Sequence, residues 1–257
     1  MTPRQAYDQI AARSRRLLRF HDGLVNTRAR GMRRDWKGGF CHLMHWPQGS
    51  QIDRIDSKDA LIVLRHGSDL SASDFTSEAV DDLLRASLAV AVSALDRYVH
   101  ERVVKRVIAS LRSRTLRAAQ ERLTIPATLA LRMTEELRRA ARAGHGIRPA
   151  NKLRIALQEA LHRRTFQSWR EIEEAFELIG IGGLTGRLQA AYGVGNISPV
   201  KHQLNNIVQR RHQIVHEGDL IRHQRGGQTR VHPIAKKYVH DSLDCVDAFV
   251  GHLDTIN

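Results

Sequence analysis

The chain is expected to fold as an all-α protein, a helical bundle with a basic N-terminal extension. Three observations lead there. Apolar residues recur at three- and four-residue steps along most of the chain, strand-like alternation is nearly absent, and Pro and Gly fall where helices would start and stop. With 257 residues, 42% of them hydrophobic, there is enough material for a sizeable core.

Taken in order, residues 4–20 form an amphipathic helix, with Ala6, Ile10, Leu17 and Leu18 set among arginines. Segment 21–58 carries Gly31, Gly38, Gly39, Pro47 and Gly49 among scattered charges and reads as loop with a short strand at most. From Ser73 the pattern strengthens. Val80, Leu84, Leu88, Val92, Leu95, Val99, Val103, Val107 and Leu111 predict one long helix, or two with a kink, at the centre of the bundle. Further helices are expected from Pro126 to Gly144, from Asn151 to about Arg164, and from Trp169 to Gly180 behind the capping box Ser168-Trp-Arg-Glu171. Ser198-Pro199 opens a helix that runs to Glu217, stopped by Gly218. A possible hairpin follows around 220–231, and Pro233 begins a last helix with Ile234, Tyr238, Leu243, Val246, Phe249, Val250 and Leu253 on one stripe. The division expected is an extension over 1–74 and a helical domain over 75–257.

Charge narrows the partners. Lys plus Arg is 41 against 27 Asp plus Glu, a formal net charge of +14. Residues 1–50 hold ten Lys or Arg against three Asp. Such a field attracts polyanions and makes their binding salt-dependent, and arginine suits bidentate phosphate contacts. Nucleic acid is the expected partner, with acidic lipid or a merely solvated basic surface as alternatives. The candidate phosphate contacts are Arg13, Arg15, Arg16, Arg33 and Arg34 in the extension and Arg210 further on. Trp36, Trp46, Phe20 and Phe40 lie in or beside this arm and either stack on unpaired bases or pin it to the bundle. The longest apolar runs, such as Ala86–Leu95, are interrupted by Ser and Asp, which argues against a spanning helix. No apolar leader follows the first arginines, and two cysteines, Cys41 and Cys245, give no disulfide framework, so a cytoplasmic protein is expected.

The most pointed segment is Gln209-Arg-Arg-His-Gln-Ile-Val-His-Glu-Gly-Asp219. Arginine offers a permanently charged fork for phosphate oxygens, and histidine exchanges protons near neutral pH. His212 and His216 are four apart and share a helix face, whereas Arg211 stands about 140° around from His216 on ideal geometry. The same i, i+4 spacing would suit two zinc ligands, but the Glu that follows the first His of hydrolytic zinc helices is missing, as is an obvious third ligand.

Arg211 and His216, with the polar His212 between them, resemble the R-x4-6-H motif of HEPN domains, most closely those of the RiboL-PSP branch. Ala94-Leu95-Asp96-Arg97-Tyr98-Val99 is similar to that branch's first-helix stretch, and Ser168-Trp169 with Phe176-Glu-Leu-Ile-Gly-Ile181 to its middle helix. Pro233 onward supplies the closing helix, so the resemblance covers roughly 75–255. It implies an all-α HEPN-type bundle and metal-independent RNA cleavage, with no cofactor. The ribose 2′-OH would attack the adjacent phosphate and leave a 2′,3′-cyclic phosphate and a 5′-OH. By the same resemblance Arg211 stabilises the phosphorane, His216 acts as acid or base, and His212 orients the site. Asp96 would stand where the family more often has a Glu that supports the motif arginine. A homodimer is expected, and a toxin or antiviral-defence role with an unidentified neutralising or activating partner is common in such proteins. A non-catalytic, dimeric RNA-binding or regulatory protein is the alternative.

Three other motifs carry less. Cys41-His42-x-x-His45 offers three metal-capable side chains but no nearby fourth. Gly180-Ile-Gly-Gly-Leu-Thr-Gly186 follows a helix and lacks the Lys-Ser/Thr of a phosphate loop, so it reads as a helix stop and turn. Residues 169–192 could form a helix-turn-helix, though with a glycine-rich turn looser than that motif has.

Overall fold

In the computed structural model, the residues described are 1–25, 30–31, 34–47, 49–54, 62–64, 77–116, 118–121, 123, 127–144, 149–221 and 230–256. Helices dominate: α1 (Pro3–Val25), α2 (Arg34–Leu43), α3 (Ser77–Arg112), α4 (Ala118–Glu121), α5 (Ala127–Arg142), α6 (Pro149–Leu161), α7 (Trp169–Leu178), α8 (Leu184–Tyr192), α9 (Ser198–Glu217) and α10 (Lys236–Thr255). The loop expected over 21–58 contains α2 and part of a small antiparallel sheet, β1 (Arg30–Gly31), β2 (Gln51–Arg54) and β3 (Ile62–Leu64), ordered β1-β2-β3. The register pairs Arg30 with Arg54 and Ile52 with Val63.

The architecture is built round α3. Its 36 residues make a single helix about 54 Å long. Leu88, Val92, Leu95, Tyr98, Val99, Val103 and Val107 are all buried, and α1, α6, α7, α9 and α10 all pack against it. A helix that is apolar on several faces is stable only when neighbours cover each of them. The far end of α10 is tied to it by polar contacts: Arg102 donates to Leu253 O at 2.8 Å and to Tyr98 Oη at 2.7 Å, and the Tyr98 hydroxyl donates to Asp254 at 3.0 Å.

The boundary expected at residue 74 does not describe this packing. α1 belongs to the bundle: Ala6, Tyr7, Ser14 and Leu18 are buried along α3. Ser14 Oγ donates to Ser87 O at 2.7 Å and Ser87 Oγ returns a bond to Ser14 O at 2.9 Å, which locks the two helices at close approach. Arg4 and Arg15 reach across to α10, where Arg15 meets Asp244 at 3.2 Å and Asp247 at 3.5 Å. Arg15 is therefore a packing residue rather than the phosphate contact expected of it.

The junction before α7 positions the helix that carries the motif. Glu171 closes the capping box, accepting the Ser168 N–H at 3.0 Å and the Gln167 N–H at 3.1 Å. Trp169 N–H donates to Asn205 Oδ1 of α9 at 3.1 Å, and Phe166 N–H donates to Asp96 Oδ1 of α3 at 2.6 Å. Three helices are thus pinned to one short loop. Asp96 spends an oxygen on the Phe166 amide, with His100 3.8 Å away, so it supports this loop and not Arg211.

His100 gives this junction a pH response. Its Nε2 lies 3.0 Å from the Arg164 carbonyl and its ring 4.6 Å from Phe166. Burial lowers its pKa below the ordinary 6.5, outweighing the opposing pull of Asp96. The unfolded chain therefore takes up the proton at a higher pH than the folded one. The stability due to neutral His100 is complete above about 6.5 and declines as pH falls through the interval between the unfolded and folded pKa values. Denaturant titrations across that interval should show the decline, and His100→Gln should remove part of the acid slope; an unchanged slope in the variant would refute the assignment.

Candidate active site on the last turns of α9

α9 begins at Ser198-Pro199, as the helix-start pattern predicts, and ends at Gly218, which takes the left-handed conformation at φ 61°. Asp219 follows in the same region, at φ 60°. A non-glycine residue there needs compensation, and Asp219 receives it from all sides. Its N–H donates to Gln213 O at 3.1 Å and its carbonyl accepts the His232 N–H at 2.8 Å. Its carboxylate, 1% exposed, accepts Arg85 Nε of α3 at 2.7 Å and Arg210 Nη2 of α9 at 2.8 Å, with Arg210 Nη1 on the other oxygen. The two guanidiniums also donate outward, Arg85 to His232 O at 2.8 Å and Arg210 to Pro233 O at 3.2 Å. One buried carboxylate thus holds α3, the end of α9 and the segment entering α10.

This clasp reassigns Arg210. Read from the sequence as a phosphate contact, it is committed to Asp219 and to backbone carbonyls. Of the hairpin expected around 220–231, residues 222–229 lie outside the described residues; at its two ends Leu220 bridges Val231 in antiparallel fashion and Ile221 N–H donates to Arg230 O at 2.9 Å.

On the outer side of the same turns, His212 and His216 are both exposed, and their rings lie 4.5 Å apart at 43°. The four-residue spacing therefore does bring the imidazoles together. Arg211 leaves the helix on a different side and is half-buried, and its Nε is fully buried with no hydrogen-bond partner among the described residues. The structure so provides a pair of adjoining imidazoles open to solvent on the last turns of α9, while Arg211 leaves the same turns on another side with its Nε not taken up by a described partner. On the same turn and the bridge that follows, Val215, Leu220 and Val231 are exposed at 47%, 40% and 42%.

The helical frame and this site stand together with a comparison. The RiboL-PSP-HEPN family model matches residues 53–255. The chain belongs to the RiboL-PSP-HEPN family. The match reaches further toward the N-terminus than the resemblance read from motifs, taking in β3 as well. Searches of curated proteins and of solved structures each return no significant match.

The remaining sequence-derived candidates are scattered over this HEPN bundle. Arg13 and Arg16 are exposed on α1. Arg33 lies outside the described residues, and so does the side chain of Arg34 at the start of α2. Cys41 is buried at 0% while His42 and His45 are exposed, and the described residues contain no group of three metal-capable side chains. No helix among the described residues is long and apolar enough to cross a membrane. Trp36 stacks on Phe40 at 5.6 Å, Trp46 meets Phe40 edge-on at 6.0 Å, and Trp36 stays 57% exposed.

Sequence reasoning missed Arg85, Asp219 as a buried anion, and Asn205. One signal was available: Arg85 is the lone basic residue within the apolar run Val80–Val92 of the central helix. A cation there implies a buried partner. Asp219→Ala would leave Arg210 with no carboxylate and Arg85 with only the exposed Asp82, 3.1 Å away, and such losses typically cost about 3–5 kcal/mol. Urea unfolding should show a decrease of that size; a loss below roughly 1 kcal/mol would mean the clasp is not buried in solution.

Proposed function

We propose that this protein is an endoribonuclease that cleaves RNA by attack of a ribose 2′-OH on the adjacent phosphate. The observation that carries the reading is the exposed His212–His216 pair, with rings 4.5 Å apart, on the turns that also bear Arg211. In the reaction the 2′-oxygen bonds to phosphorus as its proton passes to a base, and the phosphorus–5′-oxygen bond breaks as that oxygen gains a proton. The products are a 2′,3′-cyclic phosphate and a 5′-OH. His216 fills the acid–base role and Arg211 neutralises charge on the equatorial oxygens of the phosphorane, where a preorganised cation has most effect. His212, packed against His216, orients it. The residues named can perform every proton transfer, so the chemistry calls for no metal.

A homodimer fits the same site. Val215, Leu220 and Val231 are exposed apolar residues at the end of α9 and the bridge that follows it, the kind of surface that a second copy can cover. A two-fold axis there would set two motifs across one cleft. A toxin or antiviral-defence effector, held in check by a partner or switched on by one, is a role such an activity would serve. The rival reading, a dimeric RNA-binding regulator without turnover, draws on the basic charge of +14.

Labelled single-stranded RNA incubated with the protein in EDTA separates them. Wild type should cut and leave cyclic-phosphate ends, while His216→Ala loses roughly 10²–10⁴-fold in turnover with little change in affinity. Tight binding without cutting across varied RNAs favours the regulator. Arg13→Ala with Arg16→Ala should flatten the salt dependence of binding, by about 0.7 in log–log slope for each single-strand phosphate that these arginines neutralise. An unchanged slope would remove α1 from the RNA path.

A further inference from the structure

A cavity of about 580 Å³ opens between the first half of α9 and the start of α10. Asn196, His202, Gln203 and Asn206 line one side and Tyr238 and Asp241 the other; among the described residues no Lys or Arg lines it, and the Asp241 carboxylate is paired outward with Lys237 at 2.6 Å. That chemistry is unusual for a chain of net charge +14. Phosphate is bound by cations, whereas amides, imidazole and a phenol hydrogen-bond neutral polar edges.

The lining is also partly set in orientation. Asn206 Nδ2 donates to His202 Nδ1 at 3.0 Å, one turn away on α9. This leaves the Asn206 carbonyl oxygen as an acceptor and its second N–H as a donor, side by side. Such a pair matches the N6 amino group and N7 of adenine, the edge that Asn and Gln read in bidentate fashion. Guanine O6 and N7 are ordinarily read by Arg or Lys, absent from the described lining, and the Asp241 carboxylate that could accept from guanine N1–H and N2–H is already paired with Lys237 at 2.6 Å. Gln203 adds a second amide, and the half-buried Tyr238 ring offers an aromatic wall for a base to stack on.

The cavity lies on the motif's own helix. Asn206 and His216 are about 15 Å apart along the α9 axis, and His202 and His216 point within about 40° of the same side. A strand laid along this side of α9 meets both. Tyr238 also lies close to Arg210, which anchors the turns bearing the motif.

We propose that this cavity is a nucleobase pocket that seats an adenine of the RNA strand and so fixes where the strand is cut at Arg211 and His216. The cutting part rests on the nuclease reading above; the base-binding part does not.

The test uses the full chain and an RNA pool with randomised positions, sequenced after limited digestion in EDTA. Wild type should favour adenine at one fixed offset from the cut, by at least roughly fivefold, the lower end of what one bidentate pair gives. Asn206→Ala should erase that ratio. Asn206→Asp, which keeps the acceptor but loses the donor to N7, should move it away from adenine. Cutting without an adenine preference, or a preference kept by both variants, overturns the pocket and leaves the nuclease standing. If no RNA is cut, anisotropy with oligoadenylate, oligouridylate and oligocytidylate decides. Tighter oligoadenylate binding that Asn206→Ala abolishes supports the pocket without the nuclease; equal binding of all three overturns it.

Discussion

The end of α9 is held by a single buried carboxylate. Asp219 can be buried only because Arg85 and Arg210 both reach it, and those arginines can be largely buried only because Asp219 is there. Buried ion pairs add little to net stability compared with apolar packing, but breaking one is costly, so they specify geometry more than they strengthen it. Here the geometry specified is the angle at which the motif-bearing turns meet α3. Gly218 and Asp219 reverse the chain in two left-handed residues, and the clasp fixes where it goes next, onto His232 and Pro233. The adjacent His212 and His216 can then stay exposed on a helix end that does not fray.

Helix periodicity limits what that end can do alone. His212 and His216 meet because four residues return to the same face, while Arg211 leaves about 140° away from His216 and is half-buried. A phosphorane held between the imidazoles would therefore draw on the far reach of the Arg211 side chain, or on an arginine from elsewhere. This is the physical reason a two-fold assembly suits the motif. In the proposed dimer a facing copy would supply its cation from the direction in which the local helix cannot.

The legibility of this structure in its sequence follows burial and range. α9 is read correctly from Ser198 to Glu217 because Pro199 and Gly218 mark both ends locally. α7 is read from its capping box, and α3 because contacts on many faces keep its positions apolar over 36 residues. α1 shows the opposite case. Its arginines look like a free basic arm, but Arg4 and Arg15 face aspartates of α10 more than 200 residues away, and no local pattern reports such a pairing. Asp96 and Arg210 fail for the same reason. The motif marks their neighbourhood, but only the tertiary contacts show that Asp96 serves the Phe166 amide and Arg210 the Asp219 carboxylate. The small sheet lies hidden in a glycine-rich stretch where strands of two to four residues leave no periodicity to detect.

Net charge overstates the surface available to a polyanion. Arg4, Arg15, Arg85, Arg102 and Arg210 are each engaged with carboxylates or carbonyls inside the bundle or at its seams. What remains on α1, with Arg13 and Arg16 exposed, can draw in a phosphate backbone without regard to its sequence. The exposed side of α9 is of another kind, with His202, Gln203, Asn206, Gln209, His212 and His216 set along it, and the exposed Lys201 at its edge turned over the Trp169 ring at 5.7 Å. On the proposed reading, attraction and discrimination fall to different helices. Further cations along that face, beyond Arg211, would bind phosphate at every register and blur the position of the proposed cut, whereas neutral amides bind weakly except where the base matches. A basic chain can in this way be drawn to any RNA and yet hold it at a chosen place.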